Sequence, residues 1–146
     1  MKILIALIAA GFSTLTIACT NFSGTFENQD TKDIQKIIQN DCDLIKFQEA
    51  DKTTSVIVDG TYHQTFNEDI IVNGVKHGVI QVFQSARFGT TELFLDSKLH
   101  TEVDEAIEDA ETNAILTLNS DGDLVTVQSS EDGQIETIIS KRLNKE

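Results

Sequence analysis

From Ile34 to Ser140 the chain alternates short apolar runs with clusters of turn-forming residues. The runs are Ile34–Gln39, Leu44–Gln48, Ser55–Val58, Ile70–Val72, Val79–Gln84, Glu92–Asp96, Ile115–Leu118, Leu124–Gln128 and Ile135–Ser140. Most span four to seven residues and are rich in Ile, Val, Phe and Thr, the composition of strands. Between them stand Asp59-Gly60, Asn73-Gly74, His77-Gly78, Asp121-Gly122 and Asp132-Gly133. Asn-Gly and Asp-Gly accept the positive backbone angles of tight hairpins, so the pattern predicts an antiparallel meander. The last two Asp-Gly pairs are 11 residues apart, the length of one strand and one turn. Proline, which would interrupt a ladder, does not occur.

Two segments fit a helix as well as a strand. In DTKDIQKIIQND, Ile34, Ile37 and Ile38 share a helical face, and Asp30 with Asp33 resembles a capping pair. The dominance of β-branched residues and the strand-like LIKFQ that follows favour a strand. The second segment, TEVDEAIEDAETN, predicts a short acidic helix over 102–112. Thr101 and Asp104 have capping-box spacing, and Val103, Ala106, Ile107, Ala110 and Ala114 follow one helical face. Four carboxylates fall in its first two turns, where the helix dipole favours them.

The N-terminus is organised differently. Residues 3–17 carry no charge, follow Lys2 and end in Thr16-Ile17-Ala18, the layout of a secretory signal. This run is shorter than the roughly 20 residues a transmembrane helix needs. The reading is therefore a signal peptide over 1–18 and a single domain over 19–146. Across the full chain 11 basic residues face 24 acidic ones, a formal charge of −13. Losing Lys2 with the leader leaves 10 basic residues and a charge of −14. Such a field disfavours nucleic acid and anionic membrane surfaces and suits a basic partner.

Cys19 has two readings. A disulfide with Cys42 suits an oxidising compartment and would close a loop of about two dozen residues, worth roughly 3 kcal/mol. Lipidation is the alternative, because Thr16-Ile17-Ala18-Cys19 resembles a lipoprotein cleavage box in its last two residues but has Thr16 where Leu is expected. Membrane attachment is expected only if Cys19 carries a lipid.

Little in the sequence carries catalytic chemistry. His63, His77 and His100 are scattered, and the HExxH, G-x-S-x-G and C-x-x-C patterns are missing. Tyr62 and His63, next to the Asp59-Gly60 turn, are candidates for a pocket mouth, although adjacent strand residues face opposite ways. Asn119, Asp121 and Asp123 start like a calcium loop, but glycine stands at position four and Ser130 at position twelve, so a hairpin turn explains them better. The expectation is a protein that is not an enzyme and holds no cofactor and no metal.

Asn21-Phe22-Ser23-Gly24-Thr25-Phe26 resembles the start of the first strand of lipocalins and related calycins. In that family an aromatic or aliphatic residue precedes a glycine, and a tryptophan follows two residues later. Here Phe22 and Gly24 match, and Phe26 stands in the tryptophan's place. The resemblance implies a small up-and-down β-barrel with Gly24 bending the chain into it and Phe26 plugging its closed end. The strand count agrees with an all-β barrel, with a two-sheet β-sandwich as the alternative. Leu93 and Leu95, Leu116 and Leu118, Val56 and Val58, and Ile135 and Ile139 are expected to face inward. Phe22, Phe26 and Phe47 are expected at one end.

Three roles follow from export, architecture and charge. One is a non-catalytic cell-envelope protein holding a small apolar ligand in a lipocalin-like barrel. Another is an acidic protein that captures a basic partner such as a lysozyme. The third is a structural protein tethered through a lipid on Cys19.

Overall fold

A computed structural model describes residues 18–143, so the predicted leader lies outside the described residues except for Ala18. The alternation of apolar and turn residues resolves into ten strands. They are β1 (Gly24–Asn28), β2 (Ile34–Asn40), β3 (Leu44–Glu49), β4 (Lys52–Ile57) and β5 (His63–Val72). The second half contributes β6 (Val75–Phe88), β7 (Leu93–Val103), β8 (Ala106–Leu118), β9 (Leu124–Ser130) and β10 (Ile135–Arg142). The segment around Ile34–Ile38, expected as a strand in preference to a helix, is the strand β2.

All ten strands form one antiparallel sheet in the order β4-β3-β2-β1-β10-β9-β8-β7-β6-β5. The meander curls round until its first strand meets its last: Phe26 pairs with Arg142 and Asn28 with Ser140. The result is a nearly closed barrel in a single sheet, not a sandwich of two. Its one seam lies between β4 and β5, the two ends of the strand order. Near the seam Gly60 N–H, just after β4, donates to Ala86 C=O on β6 at 2.8 Å.

Alternation along the strands sends Phe22, Phe26, Ile37, Ile45, Val56, Leu93, Leu116 and Leu124 into one end of the barrel, where they are buried with Ala86. Phe47, Val58, Phe88, Leu95, Ala114 and Leu118 pack against this cluster and are partly buried. The expected inner positions are therefore filled, with one exception. Ile135 and Ile139 are 74 % and 41 % exposed. Ile139 pairs with Val125, and the neighbouring pair Ser140–Leu124 points inward, so the odd-numbered residues of β10 face solvent.

The acidic helix expected over 102–112 does not form. These residues finish β7 and start β8, joined by a tight turn at Asp104 and Glu105, whose φ angles are 46° and 71°. The misreading has a simple origin. Ala106, Ala110 and Ala114 recur every four residues, a spacing shared by one helical face and by alternate positions of a strand. What selects the strand is its partner. Lys98 on β7 lies 2.9 Å from Glu111 on β8, and His100 lies 2.6 Å from Asp109, each pair directly opposite in register.

His77-Gly78 is likewise not a turn. It lies within β6, where Ile70 pairs with Gly78 and Ile71 with Lys76, leaving His77 as the extra residue of a bulge. Gly78 is required there because a Cβ would sit 1.7 Å from the carbonyl oxygen of Glu102. The bulge aims His77 Nδ1 at Asp104 Oδ1, 3.0 Å away, while Asp104 N–H donates to His77 C=O at 2.9 Å. The tip of the β7–β8 hairpin is thereby fastened to β6.

Candidate ligand-binding cavity

The closed end of the barrel is assembled around a single glycine. Gly24 opens β1, and a Cβ there would lie 2.5 Å from Arg142 Nη1 and 3.1 Å from Phe26 Cζ. The missing side chain lets the Arg142 guanidinium lie over the Phe26 ring at 4.7 Å. Its Nη1 donates to Ser23 C=O at 2.8 Å and its Nε to Gly122 C=O at 2.9 Å. Asp123 Oδ1 accepts the Arg142 backbone N–H at 3.0 Å. One side chain of the last strand thus joins the start of the first strand to the β8–β9 turn. Arg142 gave no signal in the sequence, because its partners are far away in the chain.

The segment before β1 is fixed by the Cys19–Cys42 disulfide, with Cα atoms 5.8 Å apart. Phe22 N–H donates to Gln39 Oε1 at 2.9 Å, and Gln39 N–H donates to Ser23 Oγ at 3.0 Å. These contacts hold Phe22 in the core, where its ring stacks near Phe88. The Cys19 sulfur, bonded to Cys42, is not free to carry a lipid in this form. A disulfide is consistent with an oxidising compartment.

Beyond the packed end the interior is hollow. A cavity of about 350 Å³ has a floor and inner wall of Phe47, Leu95, Ala114 and Leu116. Around it stand Thr54, Gln84, Ser97, Thr112, Thr126 and Gln128. Gln35, Glu49 and Lys52 form its rim on the β2–β4 side. The same three residues, with Thr126 and Gln128, also line a wider hollow of about 860 Å³ that runs out between the β1–β2 and β3–β4 turns. The two hollows thus share five lining residues. The inner one is at the low end of the roughly 300–1,000 Å³ typical of small-molecule sites.

Gln35 Nε2 donates to Glu49 Oε1 at 2.6 Å, and Lys52 stands opposite Glu49 in register. Deeper in, Gln84 Nε2 donates to Ser97 Oγ at 3.2 Å. Gln84 Oε1 is buried and has no hydrogen-bond partner in the protein. A buried acceptor without a donor is costly unless a bound molecule or water supplies one. None of these polar residues was singled out from the sequence. The available signal was parity: Ser97 follows Leu95, and Thr112 precedes Ala114 and Leu116, on the inward phase of their strands.

Tyr62 and His63 are not among the residues lining either hollow. The Tyr62 ring lies 4.7 Å from Lys98 Nζ. His63 Nε2 is 2.8 Å from Asp59 Oδ2 and 2.9 Å from Thr61 Oγ1. Asp59 accepts the Thr61 backbone N–H and hydroxyl as well as the His63 contact, which together lower its pKa to about 2. Glu111 beside Lys98 raises the pKa of that amine.

Asn119, Asp121 and Asp123 form the β8–β9 turn. Asn119 Oδ1 accepts the backbone N–H groups of Asp121 and Asp123 at 2.9 and 3.0 Å, and Gly122 has φ 80°. These oxygens serve the turn and Arg142. Among the described residues no group of three or more His, Cys, Asp and Glu is arranged to hold a metal ion. No protein-family model and no curated protein matches the chain.

Proposed function

We propose that this is an exported, non-catalytic binding protein that holds a small, largely apolar molecule in the open half of a lipocalin-like barrel. One observation carries the reading: aromatic and aliphatic side chains fill one end of the barrel, while about 350 Å³ at the other remains hollow. A barrel of this size serves a packed structural role when its interior is full and a container role when it is not. Export is supported by the signal-like N-terminus and by the disulfide.

Titration with an environment-sensitive apolar dye tests the reading, together with mass analysis of organic extracts of the purified protein. Saturable dye binding is expected, weakened by about tenfold or more in Thr112→Phe, which fills the cavity wall. No dye binding and no co-purifying molecule would reject it. An intact mass lower by two protons across Cys19 and Cys42 is the expected covalent state, and an acyl adduct would assign the protein to a lipid anchor instead.

A further inference from the structure

The inner wall of the barrel does not end at the cavity. Strands β5 to β8 run past the mouth, and their inward positions continue the registers of the cavity wall. Gln84, Ser97 and Thr112 lie side by side across β6, β7 and β8. The next inward row outward from the core is Phe66, Val82, Leu99 and Ala110, on β5 to β8. Phe66 and Leu99 are 40 % and 39 % exposed, although both stand on this concave face. Beyond them comes a row with Ile80 and Thr101 at its centre and Glu68 and Glu108 at its ends. From the core outward the wall is therefore apolar, then a polar uncharged band, then an apolar lip edged by carboxylates.

We infer that the ligand is an elongated amphiphile with an uncharged hydroxyl head directed inward to Gln84 and an apolar tail lying on the lip against Val82, Leu99 and Phe66. This rests on the reading that the cavity binds a small molecule. The buried Gln84 Oε1 lacks a donor, and a hydroxyl supplies one while accepting from the Ser97 or Thr112 hydroxyl beside it. A carboxylate head cannot donate to Gln84; turned outward it would meet Glu68 and Glu108, and Lys52, the cation lining the cavity, stands at the rim on the β2–β4 side opposite Glu49. An ammonium head can donate to Gln84 but would lose its hydration among the uncharged Ser97 and Thr112. Ile80 is four residues from Gln84 along β6, roughly 13 Å at the usual strand rise, so a medium alkyl chain spans the distance.

Decanol, decanoate and decylamine share a tail and differ in head, and each can be titrated against a bound apolar dye on the purified, disulfide-intact protein at neutral pH. The expected result is decanol binding about tenfold more tightly than decanoate, the factor one hydrogen bond to a buried acceptor supplies, and also more tightly than decylamine, whose ammonium can donate to Gln84 but loses its hydration among uncharged side chains. The preference over decanoate should vanish in Gln84→Leu, and Leu99→Asp should weaken decanol by a similar factor. Decanoate or decylamine binding as tightly as decanol would overturn the inference, as would a preference over decanoate that survives Gln84→Leu. If neither the dye nor any of the three binds, the cavity reading itself fails. Wild-type selectivity decides the matter even if a variant does not fold.

Discussion

The guanidinium of Arg142 lies 4.7 Å from the centre of the Phe26 ring, and the two residues are paired across β1 and β10, where the first strand meets the last. Phe26 is fully buried, so the cation covers the aromatic plug from the chain end while its nitrogens satisfy two backbone carbonyls. Gly24 makes room for both.

Gly24→Ala places a methyl group in contact with the guanidinium and the ring, and Arg142 must give up its Ser23 bond to accommodate it. We expect a loss of about 1–2 kcal/mol in urea unfolding. Arg142→Ala should cost about 2 kcal/mol, because two carbonyls lose their donor and Phe26 loses its cover. In the double variant the Gly24→Ala penalty should largely disappear. Strictly additive costs in the double-mutant cycle would show that the contact does not carry the effect.

Replacing both Cys19 and Cys42 by Ser frees the segment that precedes β1. With the cysteines 23 positions apart in the chain, the chain-entropy account gives a loss of about 3 kcal/mol. Denaturant midpoints with and without reductant measure it. The wild-type protein should respond strongly to reductant and the double Ser variant should not.

Asp59 has a folded-state pKa of about 2 against an ordinary value of 3.8. A depressed carboxylate contributes stability above its unfolded pKa and loses it as pH falls through the folded one. Unfolding free energy should therefore rise with pH between about 2 and 4, where the unfolded chain binds the extra proton. Asp59→Asn should flatten this slope, as read from denaturation curves across that range. Glu92, lowered by the Thr91 backbone N–H, and Asp132, lowered first by the Ser130 hydroxyl, leave a residual slope of the same sign.

Glu105 turns the β7–β8 hairpin with φ 71°, a conformation that disfavours a residue with a side chain. Glu105→Gly gives the Asp-Gly sequence that such turns prefer and removes a penalty of roughly 1 kcal/mol. Thermal unfolding should shift upward by a few degrees. A downward shift would mean that the Glu105 side chain stabilises the tip more than its backbone strains it.

The parts of this fold legible in the sequence are those that depend on near neighbours. Asn73-Gly74, Asp121-Gly122 and Asp132-Gly133 mark turns because positive φ is a local demand, and Leu93, Leu95 and Leu116 mark the inner face by simple alternation. Phe22 and Phe26 are buried in the core, and Gly24 leaves room for Arg142 beside Phe26. The illegible parts depend on partners distant in the chain. Residues 102–112 are strand because Lys98 and His100 face their carboxylates across a hairpin. Gly78 reads as a turn until Glu102 is seen against it. The cavity was hidden for the same reason, since Gln84, Thr112 and Thr126 meet only when the sheet curls.

The seam between β4 and β5 holds the two free edges of the sheet among the described residues, and a free edge is a template on which another chain can add and begin to aggregate. Around most of the barrel such growth is blocked because every strand has neighbours on both sides. The stretch of β5 that runs into the lip is where protection has to come from the side chains themselves. That stretch contains Glu68 and Asp69, follows a register break between Gln64 and Phe66, and meets a second one between Ile70 and Ile71. Charge and irregular register are how natural sheets keep an exposed strand from recruiting partners. On this edge the acidity of the chain acts as a guard against self-association, and neutralising Glu68 and Asp69 would leave the protein folded but prone to fibrous assembly.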